Sequence, residues 1–187
     1  MKTRFRRVAP TLPFHLPTPE GWFTETIPFP RGFAPDLDYQ GFEELRFAPG
    51  WRQAESEEMW AYTFVWWIPE DTPLREERLE KDLSAYYEGL MVAVAQGKDF
   101  DLSEAKFVAE LAPPLASDDQ EPYLRGTVET FDSFVTAEMI SLNVKICQVS
   151  CEEQGVTALV FELSPQPFEH GIWAEMDAIR QGFRCTP

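Results

Sequence analysis

The chain has 187 residues, of which 44% are hydrophobic and 26% charged, a composition typical of one globular domain with a substantial core. Its formal net charge is −16, whereas nucleic acids and anionic membranes attract clustered cations, so we expect neither as a partner. An acidic surface suits a protein partner with a basic surface, although it also keeps a protein soluble as a monomer or small homo-oligomer. No apolar run is long enough to span a bilayer.

Basic residues open the chain: Lys2, Arg4, Arg6 and Arg7. A secretory signal needs an apolar stretch behind such a start, and prolines interrupt this one, so we expect a cytoplasmic protein. A leader that had been removed would leave no trace. The prolines predict an extended tail over residues 1–21 that is poorly ordered unless it docks on the body. Residues 22–187 are predicted to form one domain, since no linker or repeat divides them.

Three strands are predicted before the first helix, at residues 22–27, 42–47 and 60–68. The third is the clearest, because β-branched and aromatic residues favour a pleated, half-buried surface. Its even positions hold Trp60, Tyr62, Phe64, Trp66 and Ile68. Strand alternation places all five side chains on one face. We expect this strand to be central in its sheet.

An amphipathic helix is predicted next. Thr72 is a good N-cap with Pro73 at the first helical position, and Gly97 suits the left-handed position after the last turn. Apolar residues recur between them at steps of three and four: Leu79, Leu83, Tyr86, Tyr87, Leu90 and Val94. This stripe predicts a helix that lies on the sheet.

Strands and a final helix complete the chain. The strands are predicted at 105–111, 123–132, 140–147 and 156–163, with an acidic loop at 113–121 and a turn at 152–155. The last helix carries on one face Ile172, Trp173, Met176, Ile179 and Phe183. Short turns between successive strands favour antiparallel pairing. The predicted fold class is α+β, with an antiparallel sheet of about six or seven strands covered by a long central helix and a C-terminal helix.

The sequence lacks motifs for known chemistry. A nucleophile elbow, a kinase signature and phosphate-binding loops are all missing, so we expect a non-catalytic protein without a cofactor or metal. His170 precedes the last helix and is interpreted as a surface or capping residue. Carboxylate pairs such as Glu43 with Glu44, or Glu129 with Asp132, leave a carboxylate-dependent enzyme as an alternative, although an acidic chain supplies such pairs by chance.

The three cysteines are Cys147, Cys151 and Cys185, and an odd number does not build a closed disulfide framework. We therefore expect reduced thiols, as in cytoplasmic proteins. Cys147 and Cys151 lie too far apart along a strand for an easy bridge. Together with His170 the cysteines form a conceivable zinc set, but their spacing is not that of a Cys-x₂-Cys knuckle.

Aromatic residues make up 14% of the chain and supply the candidate ligand-binding or partner-binding site. Its residues come from the third strand and the central helix: Trp60, Tyr62, Phe64, Trp66, Tyr86 and Tyr87. Aromatic clusters usually form cores, and packing under the helix is the plainer interpretation. The functional interpretation is the floor of a groove for an apolar ligand or partner, because Trp and Tyr are favoured anchors there. An exposed Trp22, Trp51 or Trp67 would support an interface.

The order of three strands, helix, four strands, helix is similar to the Mog1/PsbP-like superfamily. The Pro19-Glu20-Gly21-Trp22 opening and the final helix from Trp173 to Phe183 also resemble small bacterial members. The resemblance covers about residues 19 to 185 and implies a non-enzymatic accessory, assembly or chaperone-like role. No residue roles follow from it.

Three functional hypotheses result. The first is a bacterial accessory protein or chaperone-like adaptor that binds another protein through an exposed aromatic patch ringed by carboxylates. The second is a binding domain for a small apolar ligand, with a pocket between sheet and helix lined by Tyr62, Phe64, Tyr86 and Tyr87. The third is an enzyme with one carboxyl of strongly raised pKa in a cleft.

Overall fold

The computed structural model describes residues 11–29, 32–69, 75–113 and 123–186. The strands are β1 Phe14–His15, β2 Phe23–Pro28, β3 Phe42–Phe47, β4 Tyr62–Ile68, β5 Val108–Ala112, β6 Tyr123–Phe131, β7 Met139–Cys151, β8 Val156–Ser164 and β9 Arg184–Cys185. The helices are α1 Glu76–Ala95 and α2 Gly171–Gln181. The predicted α+β class is confirmed.

Seven strands form one antiparallel sheet in the order β2-β3-β4-β8-β7-β6-β5. α1 packs over one face and α2 over the other, and each helix covers its own cluster of buried apolar side chains. The predicted sheet, the long central helix and the C-terminal helix are therefore confirmed. Among the described helices none is long and apolar enough to cross a membrane.

β4 is the central strand that its composition predicts. Each of its residues is buried, because even positions such as Phe64 face α1 and odd positions such as Val65 face the α2 side. The strand begins two residues later than predicted, at Tyr62, because Trp60 has a φ of 57° and belongs to the preceding loop. Its side chain still packs with the even-numbered residues of the strand.

α1 begins at Glu76, with Arg75 as its N-cap residue, which is later than predicted. The expected cap at Thr72 and Pro73, like the acidic loop from 114 to 121, lies outside the described residues. The prediction for the C-terminus is confirmed, since Gly97 has a φ of +78° just after the last turn. A second glycine has a packing role: a Cβ on Gly89 would lie 1.9 Å from the carbonyl oxygen of Phe33 in the loop that crosses the helix.

α2 presents its predicted apolar face to the sheet, with Trp173 and Met176 both buried. His170 is the N-cap residue, and its Nδ1 accepts a hydrogen bond from the backbone N–H of Ile172 at 3.2 Å. The capping role expected for His170 is confirmed.

The N-terminal segment from residue 11 docks on the domain. The prediction of an extended, proline-rich tail allows this docking as the alternative to poor order. β1 pairs with β9, and Phe14 and Leu16 are buried in the cluster on the α2 side. Arg46 fixes the next residues by donating to the carbonyl oxygens of Leu16 and Pro17, both at 3.2 Å.

A disulfide joins Cys151 to Cys185, with the two Cα atoms 5.7 Å apart. The expectation of reduced thiols is wrong for these two residues, and only Cys147 keeps a thiol, which is buried. The bridge ties the end of β7 to β9 and so anchors the strand that pairs with β1. Disulfides persist in oxidising environments, whereas the cytoplasmic prediction rests on the interrupted apolar stretch near the N-terminus and stays a prediction.

Candidate functional site

A groove opens between the sheet and α1, at the end where β2, β3 and β4 meet two loops. It encloses about 430 Å³, including the space at its opening. The residues that line it are Glu25, Ile27, Leu45, Phe47, Trp51, Arg52, Trp60, Tyr62, Tyr86, Leu90 and Phe134. A concave, mainly apolar surface with few polar groups is the usual form of a binding site. We call this the aromatic groove.

Half-buried aromatic rings form the outer wall of the aromatic groove. Phe47 and Trp51 stack with their ring centroids 4.4 Å apart, and Phe134 meets Trp51 edge-on at 5.5 Å. Phe134 also lies 5.7 Å from the ring of Trp60, which forms the floor. Partly exposed aromatic side chains are typical contact surfaces, because they offer large apolar area at little entropic cost.

The loop between β3 and β4 places Trp51 and Trp60 side by side. The backbone N–H of Trp60 donates to the carbonyl of Trp51 at 2.9 Å, and that of Gly50 donates to the Glu58 carboxylate at 2.6 Å. A Cβ at Gly50 would lie 2.2 Å from the hydroxyl oxygen of Ser56, so a side chain at that position would displace Ser56 in this tight loop. The loop is therefore a closed, hydrogen-bonded support for the wall.

The loop between β6 and β7 is held by one buried carboxylate. Asp132 accepts hydrogen bonds from the backbone N–H groups of Phe134, Val135 and Thr136 at 2.9, 3.1 and 2.9 Å. The hydroxyl of Thr136 adds a fourth bond at 2.9 Å. Local capping by an Asp side chain of this kind defines a turn. Asp132 thereby positions the ring of Phe134 in the wall.

Polar groups occur at the rim of the aromatic groove, and one buried donor belongs to its floor residue Trp60. The guanidinium of Arg52 lies over the rings of Trp51 and Phe134, at 4.3 and 4.8 Å from their centroids. Across the groove, Glu25 is exposed on β2. Within the described part of the chain, the buried indole N–H of Trp60 has no acceptor.

The structure divides the predicted site residues into two groups. Trp60, Tyr62 and Tyr86 line the aromatic groove, although little of each is exposed. Phe64, Trp66 and Tyr87 are buried in the core and do not line it. The buried residues support those that line the groove: the hydroxyl group of Tyr87 forms a hydrogen bond with that of Tyr62. Burial raises the pKa of both phenols, so each stays protonated at neutral pH.

Of the three tryptophans considered for an interface, Trp51 is partly exposed, whereas Trp22 and Trp67 are buried.

Sequence reasoning missed two residues of the aromatic groove, Phe134 and Arg52. Phe134 lies far along the chain from the other wall residues, and no periodicity marks it. The signal that was present is the run Asp132-Ser133-Phe134, because an Asp side chain often caps the backbone N–H two residues further on and so forms a turn.

The predicted carboxylate pair of Glu43 and Glu44 does not meet in one cleft. Glu43 and Glu44 are adjacent on β3 and therefore point to opposite faces of the sheet. Glu43 accepts a hydrogen bond from the hydroxyl of Tyr86 at 3.1 Å and thereby anchors a groove residue from behind. Both carboxylate oxygens of Asp132 accept hydrogen bonds from the backbone of its own loop.

A separate ionic cluster lies under α2. Glu162 is fully buried and accepts from the Nε of Arg180 at 3.1 Å, while Lys145 donates to Asp177 at 2.9 Å. Burial raises the pKa of Glu162 to about 8 despite the nearby guanidinium, and its second oxygen has no partner in the described residues. A raised carboxyl pKa is one feature of the enzyme hypothesis, but Glu162 does not line the aromatic groove.

The conceivable zinc set is not assembled. Cys151 and Cys185 are joined in the disulfide, and His170 caps α2. Within the described ranges, no group of three metal-ligating side chains is found.

Comparison with known proteins identifies no family for this chain. No family model matches the sequence, and no curated protein matches it. Among solved structures, the chain is similar to LpqN, described as involved in cell envelope biogenesis of Mycobacterium tuberculosis, with a TM-score of 0.37 and 9% identity over 93% of this chain and 83% of that one. At these values the likeness carries no argument about family or function.

Proposed function

We propose that this chain is a non-catalytic binding protein and that the aromatic groove takes an apolar side chain from a protein partner. The observation that supports the proposal is the wall of packed, partly exposed rings at Phe47, Trp51 and Phe134. Two loops support these rings through hydrogen bonds to Glu58 and Asp132. A preorganised apolar pocket of this kind receives the anchor residue in many interfaces, because little entropy is lost on binding.

The rim of the groove supports a partner with mixed polarity. Arg52 and Glu25 flank the apolar wall, as polar rims commonly surround the apolar centre of an interface. The remaining surface of the chain is acidic, with a formal net charge of −16. A basic partner would be attracted over long range and then held by its apolar anchor.

A small apolar ligand is the second candidate. The groove is concave and lined mainly by apolar side chains, as small-molecule sites are. The guanidinium at the rim favours a ligand with an apolar body and a carboxylate. The carboxylate would pair with Arg52 at the mouth of the groove.

The first experiment asks whether the groove binds an apolar group at all. The probe is 1-anilinonaphthalene-8-sulfonate, an aromatic anion whose fluorescence rises in apolar surroundings. We expect one saturable site on the wild-type chain. Leu90→Phe fills the groove from α1 and should weaken binding by about tenfold or more, as the loss of an anchor pocket does. Val92→Phe is the control, because Val92 is 46% exposed on the same helix and does not line the groove.

Two results would contradict the proposal. One is a wild-type chain without a saturable site. The other is a Leu90→Phe variant that binds the probe as tightly as the Val92→Phe variant does.

A further inference from the structure

The two edges of the sheet differ in whether their outward backbone N–H groups have hydrogen-bond partners. At the β5 edge, the outward N–H of Ala109 donates to the hydroxyl of Ser84 at 2.9 Å, and that of Leu111 donates to Glu80 at 2.7 Å. Both acceptors are side chains of α1, so the helix closes this edge. An edge with satisfied donors offers no template for another strand.

The β2 edge is open over a short stretch. Phe29 donates to the carbonyl of Gly41 at 2.9 Å, and alternation along an antiparallel pair then directs the backbone groups of Phe23, Glu25 and Ile27 toward β3. Thr24 and Thr26 therefore present their N–H and C=O groups outward. Among the described residues, no backbone partner is found for either of them.

The open stretch has defined ends. The N–H of Trp22 is occupied by the carbonyl of Pro19 at 3.2 Å, and Pro28 has no N–H to donate. The exposed residues between them are Phe23, Thr24, Glu25 and Thr26. A partner strand would therefore pair over about five residues, the length of a short linear segment.

β2 also forms one side of the aromatic groove. Glu25 and Ile27 line it directly, and Phe23, which is 57% exposed, lies opposite Phe47 on the same face. A strand added at β2 would lie about 4.8 Å away, with alternate side chains directed to that face. Cross-strand and diagonal neighbours of Phe23 and Ile27 are within reach of an aromatic side chain. Main-chain pairing and groove occupancy are therefore compatible in one ligand.

We propose that the β2 edge accepts an extended segment of a basic partner protein as an added strand, with one side chain of that segment in the aromatic groove. This inference rests on the proposed function. The residue opposite Glu25 is expected to be Lys or Arg, because the exposed carboxylate lies on the groove face and the whole chain is acidic. Its neighbours two positions away face Phe23 and Ile27 and are expected to be apolar. The recognised pattern is apolar-x-basic-x-apolar.

The experiment selects peptides from a phage-displayed library of random dodecamers on the immobilised full chain. We expect enriched sequences that contain the apolar-x-basic-x-apolar pattern. Their affinity for Thr24→Pro, which lacks one outward N–H, should fall by about tenfold, the effect of one or two lost main-chain hydrogen bonds. Thr24→Val keeps the N–H and should bind within about twofold of wild type.

A second measurement does not depend on the folding of the proline variant. Methylation of alternate backbone nitrogens of the selected peptide removes its own donors. Methylation in the register that faces β2 should abolish binding, whereas methylation of the alternate set should not.

The outcomes separate the two proposals. If the fluorescent probe binds the groove but no patterned peptide is selected, or if neither Thr24→Pro nor methylation weakens the peptide, strand addition is overturned and the groove remains a binding site. If the probe does not bind and Leu90→Phe does not affect the peptide, the proposed function fails as well.

Discussion

Replacing Asp132 by alanine tests whether the aromatic groove is preorganised. The side chain is fully buried and accepts three backbone N–H bonds and one hydroxyl bond from residues 134–136. Each buried donor left without a partner costs about 1–3 kcal/mol, although water reaches some of them when the loop relaxes. We expect Asp132→Ala to lower the free energy of unfolding by about 3–5 kcal/mol, judged from these losses and their partial recovery.

Chemical denaturation followed by circular dichroism gives the free energy of unfolding, and the fluorescent probe reports the groove. The variant should also bind the probe about tenfold more weakly, because the ring of Phe134 loses its position in the wall. Asp101→Ala is a matched control: that Asp also caps a backbone N–H, of Ser103 at 2.9 Å, but both residues are exposed. Its effect should stay within about 0.5 kcal/mol. An Asp132→Ala variant within about 1 kcal/mol of wild type, with unchanged probe binding, would refute the reasoning.

Three further predictions concern the body of the domain. Glu162 has a folded-state pKa of about 8 against an ordinary value of 4.5, so its contribution to stability is complete below 4.5 and is lost as pH rises through 8. Glu162→Gln should therefore flatten the pH dependence of the unfolding free energy by up to about 1.4 kcal/mol per pH unit between pH 5 and 8, whereas equal slopes would show that the carboxyl is not perturbed. Gly89→Ala should lower the melting temperature, because the new Cβ would lie 1.9 Å from the carbonyl oxygen of Phe33. This clash should outweigh the gain of about 1 kcal/mol that alanine gives a helix over glycine. A stabilised variant would mean that the loop around Phe33 moves aside. Thiol titration of the denatured, unreduced chain should find the single thiol of Cys147, and three thiols would contradict the disulfide.

Much of the fold could be predicted because it depends on local pattern. The alternation in β4 and the apolar stripes of both helices identify their buried faces without knowledge of the partners. Gly97 marks the end of α1 for the same local reason, its left-handed backbone.

The parts that could not be predicted depend on contacts between distant segments. Trp60 looks like a strand residue, and only the positive φ that closes the loop with Trp51 moves it to the floor of the groove. Phe134 reaches the wall through a turn built by Asp132. The bridge between Cys151 and Cys185 depends on β9 lying beside the end of β7, which no spacing between cysteines reveals.

The indole N–H signals of the tryptophans test the central claim most directly. Trp51 and Trp60 line the aromatic groove, whereas Trp22 and Trp173 are buried on the opposite face of the sheet and serve as internal controls. The measurement is a nitrogen–proton correlation spectrum of the full chain, labelled at the indole nitrogens and titrated with 1-anilinonaphthalene-8-sulfonate. We predict that the signals of Trp51 and Trp60 shift together and saturate, while those of Trp22 and Trp173 stay in place. Shifts confined to Trp22 or Trp173, or no shift at saturating probe, would contradict the assignment of the groove as the binding site.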